Sequence, residues 1–341
     1  MNISIALCTY NGSRFLSEQL ASFAMQSRVP DEVVLVDDRS SDDTLSIARD
    51  FALSAPFPVV IVENGVNLGS TRNFEKAITL CTGDIIALSD QDDVWMPEKL
   101  ERLARVFVSW PEVGMVFSNA SIVDDSLNPI GVSLWSETFR PRDRRTFASG
   151  RAADVLLQYN VVTGATMAIR RELVKAIVPV PVLPEFIHDA WIALIASLAS
   201  EIVAVKKDLI MYRQHSGQQL GAGLSRWEIP RSERYRLTIE DRLTAIARID
   251  QFRRIINDDF LDRLRSIAPD PTKVPSFAEF EKMLINAHSS IREHIEHISA
   301  RLKLPAARPS RVADIIGEMA TGRYREYSRG WQSAVLDLVR K

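Results

Sequence analysis

The sequence predicts an α/β fold, a mostly parallel sheet flanked by helices on both faces, followed by an all-helical C-terminal extension. Three observations predict it. Short apolar runs rich in β-branched residues alternate with helical spacing through the first 120 residues. Carboxylate-rich clusters recur where those runs end. Beyond about Ser225 the strand pattern stops, and apolar residues recur mostly at three- and four-residue steps.

The elements follow in order. Strands are expected over Ile3 to Cys8, Glu32 to Asp37, Pro58 to Val62, Asp84 to Ser89 and Val113 to Ser118. Helical patterns separate the first five, over Arg14 to Gln26, Asp42 to Leu53, Thr71 to Leu80 and Pro97 to Trp110. This alternation means βαβ units, hence parallel strands with ligands bound beyond their carboxyl ends. Thr9-Tyr10-Asn11, Asp37-Asp38 and Asp90-Gln91-Asp92-Asp93 stand at those ends and are expected on one rim. Leu127 to Ala153 carries Arg140, Arg142, Arg144 and Arg145 without clear period, and is expected to be a mobile loop over the rim. A strand over Thr166 to Ile169, a helix over Asp189 to Leu198 and two short strands, Ile202 to Val205 and Leu209 to Tyr212, follow. In the tail, one helix is expected to carry Ile239 through Leu264 and another Phe277 through Leu302, separated by Pro269, Pro271 and Pro275. The domains are drawn at 1–225 and 226–341.

Bulk properties exclude several classes. A net charge of -2 in 341 residues gives no basic field for nucleic acid. Two cysteines, Cys8 and Cys81, are too few for a disulfide framework or a zinc site, and both are expected as small buried hydrophobes in a reducing compartment. The apolar stretch Ala190 to Val205 is interrupted by Ser197, Ser200 and Glu201 and falls short of the ~20 residues a spanning helix needs. The start has no basic, apolar leader. These features point to a cytoplasmic protein, working at the inner face of the plasma membrane if its acceptor lies there. Residues 226–341 hold 22 Lys and Arg against 17 Asp and Glu. That surplus fits a salt-bridged bundle, or a basic face toward an anionic membrane. Self-association through the same helices is the other partner open to it. His288, His294 and His297 share one helix and are expected on its solvated face.

The acidic cluster after the fourth strand carries the strongest chemical signal. Several carboxylates at a strand end repel one another, and a hard divalent cation offsets that repulsion while keeping positions open for phosphate oxygens. A plain acidic turn is the alternative for the same residues. The second strand ends in Asp37-Asp38, one of which could accept the imide N–H of a pyrimidine base. Ser41 and Asp42 are better explained as caps of the following helix.

Four segments together resemble glycosyltransferase family 2: Ala6 to Gly12, Val36 to Asp42, Asn67 to Asn73 and Ser89 to Trp95. The resemblance covers roughly the first two-thirds of the chain and implies the GT-A fold. It implies nucleotide contacts for Thr9, Tyr10, Asp38, Asn67, Arg72 and Asp90, with Tyr10 packing on the base. Asp92 matches the metal ligand of the D-x-D motif, for Mg²⁺ or Mn²⁺. Phe186-Ile187-His188-Asp189-Ala190-Trp191 is similar to the acceptor-side motif, which makes Asp189 the general base; an N-cap is the plainer alternative. Met211-Tyr212-Arg213-Gln214-His215 resembles a bacterial rhamnosyltransferase subgroup, with His215 reaching the metal or diphosphate, or serving as an ordinary loop histidine. Trp95, Thr163, Gly164, His188 and Trp191 would then shape the acceptor pocket. Ser225-Arg226-Trp227 lacks the upstream Gln of processive polymerases, since Gly223 holds that place. The resemblance implies an inverting transfer of one sugar, L-rhamnose from dTDP-rhamnose before a hexose from a UDP donor. The acceptor would be a glycan or lipid-linked glycan of the cell envelope. Asp90-Gln91-Asp92-Asp93-Val94 also fits the nucleophile motif of haloacid-dehalogenase phosphatases, and an inactive sugar-nucleotide-binding module is the non-enzymatic alternative.

Overall fold

In the computed structural model, described over residues 1–182, 187–215, 231–305, 308–328 and 330–339, two compact units emerge. The first comprises 1–223 with 256–277, and the second 224–255 with 278–341.

The first unit is built on a mixed sheet of nine strands, in the order β3-β2-β1-β4-β8-β6-β9-β5, with β7 beside β6. The strands are β1 (Ile3–Thr9), β2 (Glu32–Asp37), β3 (Val59–Glu63), β4 (Ile85–Ser89), β5 (Val94–Trp95), β6 (Val113–Val123), β7 (Pro129–Ser133), β8 (Met167–Arg170) and β9 (Glu201–Arg213). The half made of β3, β2, β1 and β4 is parallel, as the alternation predicts. Burial on both faces explains why β1, β2 and β4 are nearly continuous apolar runs. Beyond β4 the sheet turns mixed: β8 is antiparallel to β4 and β6, while β6 and β9 run parallel.

Helices α1 (Leu16–Ala24), α2 (Thr44–Ala52), α3 (Ser70–Leu80) and α4 (Lys99–Ser109) fill the expected crossovers. Leu16, Leu20 and Phe23 of α1 and Leu100, Leu103 and Phe107 of α4 bury their apolar stripes in one core with Ile5, Leu7 and Val116.

Three expectations are corrected. The stretch from Leu127 to Ala153 is not an open loop. It forms β7, α5 (Leu134–Thr138) and α6 (Pro141–Ala148), and runs into α7 (Ala152–Leu156). Its order comes from an aromatic cluster of Phe117, Trp135, Phe139 and Phe147, and from Arg144, which donates to the Trp135 and Phe139 carbonyls. The two short strands after Ser200 are one strand, β9. Its polar Lys206-Lys207-Asp208 interruption is a bulge, where Asp208 accepts from Asn119 Nδ2 (2.6 Å) and Ser121 Oγ (2.9 Å).

The third concerns the tail. After α8 (Val174–Ile177) and α9 (His188–Ala199), the long helix expected through Leu264 is broken into α10 (Arg231–Ile255) and α11 (Asp258–Arg265). Asn257 caps α11, its side chain accepting from Phe260 N at 2.9 Å. α11 packs on α8 and α9 within the first unit. The second unit is helical: α10, then α12 (Phe277–Leu302), α13 (Arg308–Ala320), α14 (Arg323–Tyr327) and α15 (Trp331–Val339). His294 and His297 are buried there, not solvated. His294 stacks on Tyr327 at 5.0 Å, and His297 Nδ1 pairs with Glu318 at 2.9 Å.

Phe186, Ser225-Arg226-Trp227 and the boundary at 225 lie outside the described residues. No described helix is long and apolar enough to cross a membrane.

Candidate active site

Parallel pairing brings the carboxyl ends of β1, β2 and β4 side by side, with Thr9 opposite Asp37 and Leu7 opposite Ser89. The rim expected from sequence is there, knitted by its own polar groups. Thr9 Oγ1 donates to Asp37 Oδ1 at 2.7 Å, and Asp37 also accepts from Ser40 N and Oγ. Thr9 and Asp37 are both buried, so they tie β1 to β2. Asn11 takes a left-handed backbone (φ 47°), its N–H donating to Ser40 Oγ and its Oδ1 accepting from Ser41 N. Asp42 accepts from Ser13 N and Thr44 N just ahead of α2.

Asp38 is also buried. Its carboxylate accepts from Leu68 N at 2.7 Å, Gly69 N at 2.8 Å and Asn64 Nδ2 at 2.9 Å. It thereby fixes the loop that leads into α3. Asn67 lies on that loop and donates to the Asp38 carbonyl (3.2 Å), while Arg72 pairs with Glu75 at 2.5 Å. Tyr10 is the open member, 50% exposed, and its backbone is clamped: its N–H donates to Gln91 Oε1 (2.8 Å) and its carbonyl accepts from Gln91 Nε2 (3.0 Å). Gly12 makes room for that amide, since a Cβ there would sit 2.1 Å from Gln91 Oε1.

The acidic segment is held from below. Gln19 of α1, fully buried, donates to Ser89 Oγ (2.5 Å) and the Asp90 carbonyl (3.0 Å). Gln26 donates to the Met96 carbonyl and accepts from Leu100 N. Arg213, at the end of β9, is buried over the Phe15 ring. Its guanidinium donates to the Asp92 carbonyl (2.7 Å), the Asp125 carbonyl and Glu18, and its N–H donates to Asp93 Oδ1 (3.0 Å).

Asp92 and His215, 123 residues apart, meet at 2.8 Å between Oδ2 and Nε2. The His215 ring lies 4.7 Å from Phe15. A carboxylate and an imidazole converging at a strand end form a donor set suited to a divalent cation that keeps positions for phosphate oxygens. Among the described residues, no group of three or more His, Cys, Asp and Glu side chains gathers. Asp90 lies in the field of Asp92 and Asp189; burial first, then those two charges, push its carboxyl up to about 7. Asp93 is shifted up by burial and then by the Asp92 and Asp90 charges. Lys99, buried with Nζ 2.7 Å from the Ala165 carbonyl, is held well below its usual range by desolvation.

Asp189 stands in the first turn of α9, where Ile187 is the N-cap residue and no side chain caps the helix. The capping alternative therefore fails. Its Oδ2 accepts from Gly164 N at 3.3 Å, its Oδ1 has no partner among the described residues, and burial pushes its carboxyl up to about 7. His188 stacks on Phe74 at 4.0 Å, and burial lowers its imidazole to about 3. A Cβ on Gly164 would come 3.2 Å from His188 Nε2. Thr163 sits half-buried beside Gly164, its carbonyl accepting from Thr166.

Trp95 and Trp191 are corrected. Trp95 is core, edge-on to Phe23 with Lys99 Nζ 3.3 Å from its ring centroid, and Trp191 donates from Nε1 to the Ile177 carbonyl at 2.8 Å. Buried rings engaged this way pack the scaffold and do not line an open pocket. Gln19, Gln26, Gln91 and Arg213 hold the site without having been singled out in the sequence; Gln91 and Arg213 lie inside motifs that were, whereas Gln19 and Gln26 leave no signal.

The sequence profile of glycosyl transferase family 2 matches residues 4–178, which include the ends of β1, β2 and β4 and stop before α9, β9 and His215. The chain belongs to glycosyltransferase family 2. It is 29% identical to an uncharacterised glycosyltransferase from Nostoc sp. over 63% of this chain and 65% of that one. It is 28% identical to a dTDP-rhamnosyl transferase, RfbG, from Shigella flexneri, over 64% of this chain and 75% of that one. Among solved structures, a mannosyltransferase from Pyrobaculum calidifontis, in complex with GDP-Man and Mn²⁺, superposes with a TM-score of 0.50 at 20% identity, over 99% of this chain and 85% of that one. The fold is GT-A, and the phosphatase alternative falls with the family assignment.

Proposed function

We propose that this protein is an inverting, non-processive glycosyltransferase, dependent on a divalent cation, that moves one sugar from a nucleoside diphosphate onto a hydroxyl. The observation that carries the reading is the meeting of Asp92 with His215 in the field that also joins Asp90 to Asp189. Asp92 and His215 would hold Mg²⁺ or Mn²⁺, which when bound supplies positive charge to stabilise the departing diphosphate. Tyr10 offers an open ring for the base, and Asp38 orders the Asn67 and Arg72 loop that borders the nucleotide. Asp90 stands on the sugar side. Half-buried Thr163 is proposed to face the acceptor, with Gly164 and His188 packed beside Asp189 behind it.

Asp189 takes the proton from the acceptor hydroxyl as that oxygen attacks the anomeric carbon. Attack opposite the leaving diphosphate inverts the centre. A positioned carboxylate of this kind is worth roughly 10²–10⁴ in rate. Burial beside Gly164 supports the role, because a carboxyl titrating near 7 is a stronger base than an exposed one.

The donor is proposed as dTDP-rhamnose, supported by the motif resemblance and by the Shigella relative; a UDP-hexose is the second reading. The acceptor is proposed as an envelope glycan or a lipid-linked glycan. Residues 1–225 are proposed as the catalytic domain and 226–341 as a helical extension, with 256–277 returning to the first unit.

Calorimetric titration of dTDP and UDP, each with and without Mn²⁺, tests the reading on wild type and Asp92→Ala. Expected is metal-dependent binding of dTDP over UDP, weakened at least about tenfold in the variant. Preference for UDP would select the hexose reading. Binding of neither nucleotide would overturn both.

A further inference from the structure

Helix α15 is apolar outward as well as inward, where Ala334 and Leu338 pack with Ile315 and Tyr324. It buries Ser333, Ala334 and Asp337, and exposes Trp331 (67%), Val335, Leu336 (55%) and Val339 (60%). At the helical step these four residues share a face about 140° wide. α13 likewise buries Ile315 in that cluster, with Arg311 also buried, while exposing Val312, Ile316 and Met319. Surface helices ordinarily turn charged and polar residues to solvent on the face opposite their buried stripe.

The orientation of α15 is fixed from inside. Asp337 takes a two-pronged pair from Arg301 (2.6 and 3.2 Å) and a hydrogen bond from Tyr324 OH (2.8 Å). Rotating α15 to hide Trp331 and Leu336 would break that buried network and strand the Arg301 charge, which is strongly destabilising. The apolar face is therefore held outward.

Charge decides what covers it. Residues 226–299 contain 13 basic and 13 acidic side chains, whereas residues 300–341 contain 9 basic against 4 acidic. Two of those four acids are consumed internally: Asp337 by Arg301, and Glu318 by His297 and Arg323. The whole basic surplus of the tail thus coincides with the segment that exposes apolar helices. A second copy would bring that surplus against itself. An anionic bilayer complements both features, taking apolar side chains and a tryptophan at headgroup depth and basic groups at its surface. α15 has nine residues, about 14 Å of helix, enough to lie in an interface and too short to span one.

We propose that the exposed faces of α13 and α15 are a docking site for an anionic lipid bilayer, entered in the plane of the interface. The site does not depend on the donor or on the catalytic residues, so its failure would leave the proposed reaction standing.

The test is flotation of the full-length protein with vesicles of phosphatidylcholine alone, or of phosphatidylcholine with phosphatidylglycerol. Wild type is expected to float with the second and much less with the first, releasing as salt rises. Trp331→Ser with Leu336→Ser should cut binding at least about tenfold. Lys303→Gln and Arg325→Gln, both exposed and basic, should each cut it about fivefold. All variants should keep wild-type circular dichroism and nucleotide binding. Wild-type flotation by the double serine variant would overturn the proposal, as would indifference to lipid charge. A lipid-free wild-type dimer that this variant converts to monomer, without flotation by either, would assign the face to a second copy instead.

Discussion

As the proposed base, Asp189 would couple rate to stability through one buried carboxyl. Its proton must be gone for it to act as base, so kcat/KM is expected to rise about tenfold per unit below pH 7 and level off above. Asp189→Asn should bind nucleotide normally, lose about 10²-fold or more of turnover and flatten that limb. Full turnover in the variant would remove Asp189 as the base. Stability follows from the same shift. The native carboxyl keeps its proton up to about 7, while the unfolded one loses it near pH 4, so the native state binds more protons between those values. Folding stability therefore declines as pH rises through that window. Asp189→Asn, neutral at every pH, should melt with wild type at pH 4 and above it at pH 8. Equal melting temperatures at both pH values would show that the shift is absent. Gly12 offers a second test at this scale. Gly12→Ala must displace the Gln91 amide and forfeit its two bonds to Tyr10, costing about 1–2 kcal/mol. With Gln91→Ala already present, denaturant titration should find little further cost; additive costs would deny the coupling.

Among the elements, β9 does most to assemble the site, and it was the least legible. Its bulge at Asp208 puts charged residues mid-strand, so period alone divides it in two. β5 is two residues long and pairs with β9, too short to leave any pattern. The parallel half was readable because burial on both faces writes β-branched runs into β1, β2 and β4. At the site, the same contrast holds. Asp92, Asp189 and His215 could be singled out because their motifs are local in sequence. Gln19, Gln26 and Arg213 could not be given roles, because they bond backbone carbonyls and amides brought near only by the fold. The two tryptophans misled for the complementary reason, since a motif position says nothing about which way a ring packs. Arg213 predicts a consequence at this scale. Arg213→Lys keeps a charge but loses the fork that grips Asp92, Asp125 and Glu18 together. The Mn²⁺ concentration for half-maximal turnover should rise several-fold, with secondary structure intact by circular dichroism. An unchanged Mn²⁺ requirement would mean that the acidic segment holds its shape without that grip.

At the scale of the molecule, the chain leaves the first unit for α10, returns for α11 and the turn Pro271–Lys273, and leaves again along α12. The return matters energetically. Leu261 and Leu264 of α11 are fully buried, Phe260 lies 6.0 Å from the Trp191 ring, and Lys273 pairs with Glu201 of β9 at 2.5 Å. α11 thus covers the far side of α9, the helix whose first turn carries Asp189. A boundary drawn where the helical pattern begins would remove that cover. Leu261→Ala and Leu264→Ala should each cost about 2–5 kcal/mol, read as a fall in the denaturant midpoint followed through loss of nucleotide binding. A chain ending at Ser225 should expose the same apolar surface of α8 and α9, and aggregate or unfold well below the intact protein. If that fragment bound nucleotide and melted with the full chain, α11 would be an ornament of the first unit. If it failed while the leucine variants lost stability in step, residues 256–277 would be part of the catalytic fold despite lying beyond a helix of the second unit.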